Sequence, residues 1–235
     1  MLHHERVRPP VQDYPPNEWS LIEKSYRPEF AAQMETVLAL ANGYVGIRGA
    51  PEEGGPAVQN GTFINGFYET WPIVYAEEAY GFARTGQTIL NVTDAKIIRL
   101  FVDDEAFWLP HANLRTYERQ LNMKAGYLDR EILWETASGK LVRIKSRRLV
   151  SFSQRHVAAI SYEVTLLNSA APVVISSEML CPQPTEQDSE HDPRLAKITG
   201  KALHYLSGYA RDRRIVLVHR TERSRMILSC GVDHE

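Results

Sequence analysis

His156-Val157-Ala158-Ala159-Ile160-Ser161-Tyr162-Glu163-Val164-Thr165-Leu166-Leu167 carries the plainest periodicity in this chain of 235 residues. Ala158, Ile160, Tyr162, Val164 and Leu166 fall on one side of an extended backbone. Ser161, Glu163 and Thr165 fall on the other, the period of two that a half-buried strand requires. Just upstream, Leu128–Ala137 and Lys140–Val150 flank Ser138-Gly139, where glycine supplies the positive φ of a tight hairpin. Downstream, Pro172–Leu180, Lys201–Gly208, Arg213–Arg220 and Arg225–Cys230 read as further strands. Between them, Pro182 to Gly200 is polar and poor in strand formers, and is expected to be a surface loop.

The same pattern reaches back to Lys96. Lys96–Val102 and Ala106–Leu109 are joined by Asp103-Asp104-Glu105, three acids that favour a solvated turn over a metal site. The reading is therefore all-β, with a large antiparallel sheet architecture. One segment resists it. Phe30, Met34, Val37, Leu38 and Ala41 make a helical stripe that opens near Pro28 and stops at Asn42-Gly43.

Composition narrows the function classes. The formal net charge is -2, and the 27 basic residues are spread along the chain, so nucleic acid is not an expected partner. Cys181 and Cys230 have neither metal-ligand spacing nor the density of a disulfide scaffold, and read as reduced thiols in a cytoplasmic protein. The opening MLHHERVRPPVQDYPPNEW holds charges and four prolines where a signal peptide needs an apolar run. No later run is long enough for a membrane span, so no membrane partner is expected. The sequons at Asn60 and Asn91 are read as chance matches. The eight histidines form no patterned metal cluster, and Gly54-Gly55-Pro56 lacks the lysine of a phosphate-cradling loop.

Glu35-Thr36-Val37-Leu38-Ala39-Leu40-Ala41-Asn42-Gly43-Tyr44-Val45-Gly46-Ile47-Arg48-Gly49, followed by Glu52-Glu53, resembles the opening motif of glycoside hydrolase family 65. Gly61-Thr62-Phe63-Ile64-Asn65-Gly66-Phe67-Tyr68-Glu69 is similar to the family's next strand, with Phe63 in place of its usual Tyr. The resemblance continues through Leu90-Asn91, the Lys96–Leu109 hairpin, Tyr117 to Gly126, and Arg147 to Ser151 with Arg155-His156. Several ordered motifs over most of a chain are far more specific than one short glycine pattern.

The resemblance implies a galactose-mutarotase-like supersandwich of two large antiparallel sheets, with few short helices. It places a flexible segment at 1–16 and the amino-terminal β-sandwich domain at 17–235, with the catalytic (α/α)6 barrel absent from this chain. On the same ground, a short helical turn over Pro28–Gln33 followed by a strand is expected where the local pattern favours a helix. Family enzymes are mostly inverting phosphorylases of α-glucosides, with inorganic phosphate as co-substrate and no other cofactor, alongside some hydrolases. In them one Glu protonates the glycosidic oxygen while phosphate or activated water attacks from the opposite face. The expected partners are therefore the barrel, an α-glucoside disaccharide and a second copy in a homodimer.

No catalytic residue carries over. Asn42, Tyr44, Arg48, Glu52, Glu53, Tyr68 and Trp71 are the candidates for the substrate rim, with Tyr75 a further aromatic of interest. Arg48 can hold a carboxylate bidentately and is expected to pair with Glu52 or Glu53, fixing a turn at the sheet rim. Adjacent carboxylates such as Glu52-Glu53 and Glu77-Glu78 point to opposite faces of an extended segment, so neither pair makes an acid and base couple. The competing reading is an independent carbohydrate-binding sandwich, which needs a row of exposed aromatics.

Overall fold

A computed structural model describes residues 8–55, 57, 61–181 and 202–235. Among them the chain is all-β: fifteen strands, one 3-10 turn and one short helix. Backbone packing gives two compact units, Met1–Asn60 with Lys96–Glu178, and Gly61–Ala95 with Met179–Glu235.

The first unit is built on a five-stranded antiparallel sheet. Its strands are β1 (Ser20–Glu23), β8 (Asn113–Asn122), β9 (Tyr127–Glu135), β10 (Leu141–Val150) and β11 (Ala158–Leu166), in that spatial order. The register puts Tyr117, Ile132, Ile144 and Val164 in one row and Leu114, Trp134, Val142 and Leu166 in another, all on the same face. Against that face lie Leu100 and Val102 of β6 (Asp94–Val102), then Phe107 just past β7 (Glu105–Ala106) and Leu109. Phe107 and Trp134 meet at 5.2 Å between ring centroids. This is a sandwich core, apolar on its inner faces because alternate residues of each strand point there. The opposite face of the sheet is charged, with Lys145 beside Glu131 and Arg147 beside Asp129.

The hairpins stand where glycine and acid placement put them. Gly139 takes φ +79 between β9 and β10, and Asp103 takes φ +52 between β6 and β7 while pairing with Lys140. Strand β11 alternates between half-buried and exposed positions from Ile160 on, as the 156–167 pattern demands. Residues 182–201 lie outside the described part, so the expected loop there does too. Of the expected flexible lead-in, Pro10 to Tyr14 forms a turn in which Asp13 pairs with Arg27 and Tyr14 meets Phe30 edge-on.

The 28–41 segment departs from the family-based expectation. A 3-10 turn at Pro28–Phe30 runs into a true α-helix, α1 (Ala31–Val37), which goes past Gln33, and only Leu40–Ala41 forms a strand, β2. Phe30, Met34 and Leu38, four apart, are buried along one side, and that local helical stripe decides the outcome. Strand β2 turns through Asn42–Tyr44 into β3 (Val45–Ile47).

In the second unit, β4 (Thr62–Pro72) and β5 (Thr85–Asn91) form a long hairpin. Strands β13 (Leu203–Arg211), β14 (Arg214–Thr221) and β15 (Ile227–Asp233) form a three-stranded antiparallel sheet. Phe67, Leu90, Val92 and Leu203 make its core, with Cys181, Met226 and Leu228 packed around them. Strand β12 (Val173–Leu180), which belongs to the first unit as far as Glu178, lies beside β6. Among the described residues, no helix is long and apolar enough to cross a membrane.

Candidate functional site

Alternation along β8, β9 and β10 sends Arg119, Arg130 and Arg148 to the inner face of the five-stranded sheet, among Tyr117, Leu121, Leu128, Ile132 and Ile144. All three are buried, and three unpaired cations there would be untenable. Glu23, directly opposite Arg119 on β1, supplies one carboxylate at 2.5 Å and also accepts from the Tyr117 hydroxyl. The loop from Asn42 to Gly55 supplies the other two. Arg130 donates to both oxygens of Glu53, at 2.8 and 2.6 Å, and its Nε stands 3.1 Å from Glu52. Arg148 donates to Glu52 at 2.7 Å.

The arginines also hold the loop by its backbone. Arg119 donates to the Gly49 carbonyl, and Arg148 to those of Arg48 and Ala50. Gly49 is needed at this point because a Cβ there would stand 2.7 Å from Leu38 Cβ and 2.9 Å from the Leu38 carbonyl. Its N–H donates to the Glu35 carbonyl of α1.

Electrostatics follow from this packing. Burial pushes the Glu52 carboxyl upward, but Arg130 and Arg148 overcome that and hold its pKa at about 2. Burial alone would lower the Arg130 pKa, whereas Glu52 and Glu53 raise it well above the ordinary guanidinium value. Burial leads in raising the Tyr117 hydroxyl, so it stays a neutral donor to Glu23. A buried pair of this kind contributes little net stability when intact, yet removing one partner costs about 3–5 kcal/mol. The network therefore locks the loop to one position and keeps the Glu52 carboxylate an ion, with no proton to give.

Each sequence-derived candidate has a definite place. Asn42 sits in the β2–β3 turn, where its side-chain amide donates to the carbonyls of Ser151 and Arg155 and its oxygen accepts from the Tyr44 and Val45 N–H groups. Tyr44 meets His156 edge-on at 4.6 Å and lies under the Arg155 guanidinium. The expected partner of Arg48 is corrected: it pairs with Glu35 at 3.5 Å, because Glu52 and Glu53 are already held by Arg130 and Arg148. Glu52 and Glu53 do not diverge as in a strand either, since they occupy a turn that brings both to one guanidinium. Tyr68 and Trp71 belong to the second unit, on β4, where Tyr68 is half-buried and Trp71 buried. The structure thus groups Arg48, Glu52 and Glu53 with the buried network and puts Asn42 and Tyr44 at a loop end.

The candidate list omits Arg119, Arg130, Arg148, Glu23 and Glu35. The arginines did leave a signal: each stands two residues from an apolar inward position, as in Leu128-Asp129-Arg130-Glu131-Ile132. Among the described residues, no group of three His, Cys, Asp or Glu side chains is placed to hold a metal ion.

The model of the amino-terminal domain of glycosyl hydrolase family 65 matches residues 21–235. Over 222 residues, 94% of the chain, the sequence is 37% identical to an uncharacterized glycosyl hydrolase of Mycobacterium tuberculosis and covers 28% of it. Over 225 residues, again 94% of the chain, it is 38% identical to an alpha,alpha-trehalose phosphorylase of Thermoanaerobacter brockii and covers 29% of it. The solved structure of a human-microbiome protein provisionally named a kojibiose phosphorylase aligns with a TM-score of 0.76 at 20% identity. That alignment covers 96% of this chain and 28% of the other, and is a likeness of fold. The chain spans less than a third of the length of these relatives.

Proposed function

We propose that this chain, which belongs to glycosyl hydrolase family 65 as its amino-terminal domain, is the non-catalytic sandwich of an inverting α-glucoside phosphorylase or a related hydrolase. The observation that carries this reading is the 38% identity to a trehalose phosphorylase over 94% of the chain. The buried network supports it from the chemical side. Glu23, Glu52 and Glu53 are each bound to an arginine, so none is a general acid awaiting a glycosidic oxygen.

In this reading the domain supports an (α/α)6 barrel, takes part in dimerisation, and lends the rim of the substrate pocket. Inorganic phosphate is the co-substrate of the parent enzyme, and an α-linked glucose disaccharide its substrate. Cys181 and Cys230 are not joined in a disulfide, which supports a reducing cytoplasmic setting. The test is phosphate-dependent glucose 1-phosphate release from trehalose, kojibiose, maltose and nigerose, comparing this chain alone with the full gene product. Release by the full product alone is the expected result. Release by this chain alone, or neither phosphorolysis nor hydrolysis by the full product, overturns the reading.

A further inference from the structure

A strand at the edge of a sheet carries an unused row of backbone N–H and C=O groups, and folds blunt such edges with short strands, bulges or charges. The five-stranded sheet of the first unit has two edges. At one, β1 is only four residues long. At the other stands β11, nine residues and about 30 Å of strand, paired with β10 from end to end without a shift of register. Among the described residues β11 has a neighbour on that side only. It holds no proline, and Glu163 is its one charge. By contrast β13, at an edge of the three-stranded sheet, is interrupted by a bulge between Tyr205 and Ser207.

The apolar core runs out to this edge and is left open there. Val142 and Ile144 of β10 are 0% exposed, whereas Leu166 and Val164, their partners on β11, are only half-buried. Ile160 and Tyr162, on the same inner side, are half-buried too. The chain crosses to the other layer in Leu167–Pro172, and Leu166 and Ala171 pack on one core, so β12 starts beside the same opening. There Val173, Val174 and Ile175 are all exposed. Open backbone groups and half-covered apolar side chains in one place are what a further strand would cover.

We infer that a second copy of the chain covers it, β11 pairing antiparallel with the partner's β11 about a two-fold axis at Tyr162. The strand is complementary to itself in this register. Because Tyr162 is the middle of the nine residues, every position is paired. On the inner side Ile160 meets the partner's Val164, and Ala158 meets the partner's Leu166, which closes the core. On the outer side Ala159 meets the partner's Thr165, and Ser161 meets the partner's Glu163, a hydroxyl opposite a carboxylate. A slip of two residues one way sets Glu163 against its own copy, a like-charge pair that strands avoid. The opposite slip leaves Thr165 and Leu166 unpaired, and a slip of one turns inner residues against outer ones. The contact uses the same surface on both copies, so it closes as a dimer. It goes beyond the proposed function by naming where two copies meet, and draws on the strand's geometry and sequence alone.

The test is sedimentation velocity on this chain over a range of concentrations, for the parent, Ser161→Glu and Ser161→Lys. Ser161 is exposed, and within its own sheet it stands opposite Arg147. A glutamate there suits the folded monomer, while a lysine faces a like charge. Across the two-fold the order reverses, because each copy's residue 161 meets the partner's Glu163. The expected result is a monomer–dimer equilibrium weakened about two- to thirtyfold in Ser161→Glu, two symmetry-related contacts being lost, and tightened in Ser161→Lys. Thermal midpoints at a dilution where the parent is monomeric should not follow that order. A chain that stays monomeric at every concentration overturns the inference. So does a dimer of equal strength in all three proteins, or one that Ser161→Lys weakens. Glucose 1-phosphate release by the full gene product is read separately, so self-association through β11 and the enzyme reading fail independently.

Discussion

Glu52 shows what a single buried charge does to this fold. Its pKa falls from the ordinary 4.5 to about 2 because Arg130 and Arg148 outweigh the desolvation that would raise it. A group whose folded pKa is depressed contributes stability that is complete above its unfolded value and is lost as pH falls through the folded one. The window is therefore pH 4.5 down to about 2. Over it the chain should lose on the order of 3 kcal/mol through this carboxylate. Glu52→Gln should be less stable at neutral pH, because two guanidiniums lose their shared anion, and flatter across the acid window. Urea titrations of both proteins at several pH values measure the difference, and parallel pH profiles would count against the assigned role.

At the scale of elements, the loop from Asn42 to Gly55 is held by arginines from three strands, and Gly49 packs directly on Leu38, the residue that caps α1. Gly49→Ala drives a methyl into the Leu38 backbone, which cannot swing aside as a flexible side chain would. A loss of about 1–3 kcal/mol is expected from such overpacking. Gly46→Ala is the matched control, since its nearest neighbour, Ala41 Cβ, stands at an ordinary 3.8 Å. Denaturation midpoints should separate the two variants, and equal midpoints would mean that the loop yields. The strands here were legible because alternation is local: Ile160 to Leu166 declares its buried side without help. Helix α1 was legible for the same reason, in the Phe30, Met34, Leu38 stripe. What the pattern could not show was pairing across the fold. That Arg130 meets Glu53, 77 positions away, depends on a turn at 52–53 bringing two neighbouring carboxylates to one side. The burial of Trp71 likewise depends on Gly86 across the hairpin.

For the whole molecule, the two units differ in how well their strands are covered, and stability should follow. Strands β9 and β10 have hydrogen-bonded neighbours on both sides and carry Ile132, Trp134, Val142 and Ile144, all essentially buried. In the second unit, β14 is central to its three-stranded sheet, while β15 is bonded only to β14 within it and alternates between exposed and half-buried residues throughout. Amides open locally at free energies that range from near zero at poorly covered edges to the global value in cores. Hydrogen exchange on this chain should therefore be slowest in β9 and β10, faster in β14, and fastest among the three in β15. If β15 amides exchanged as slowly as those of β9, the second unit would be as tightly held as the first, and strand coverage would not set the order of opening.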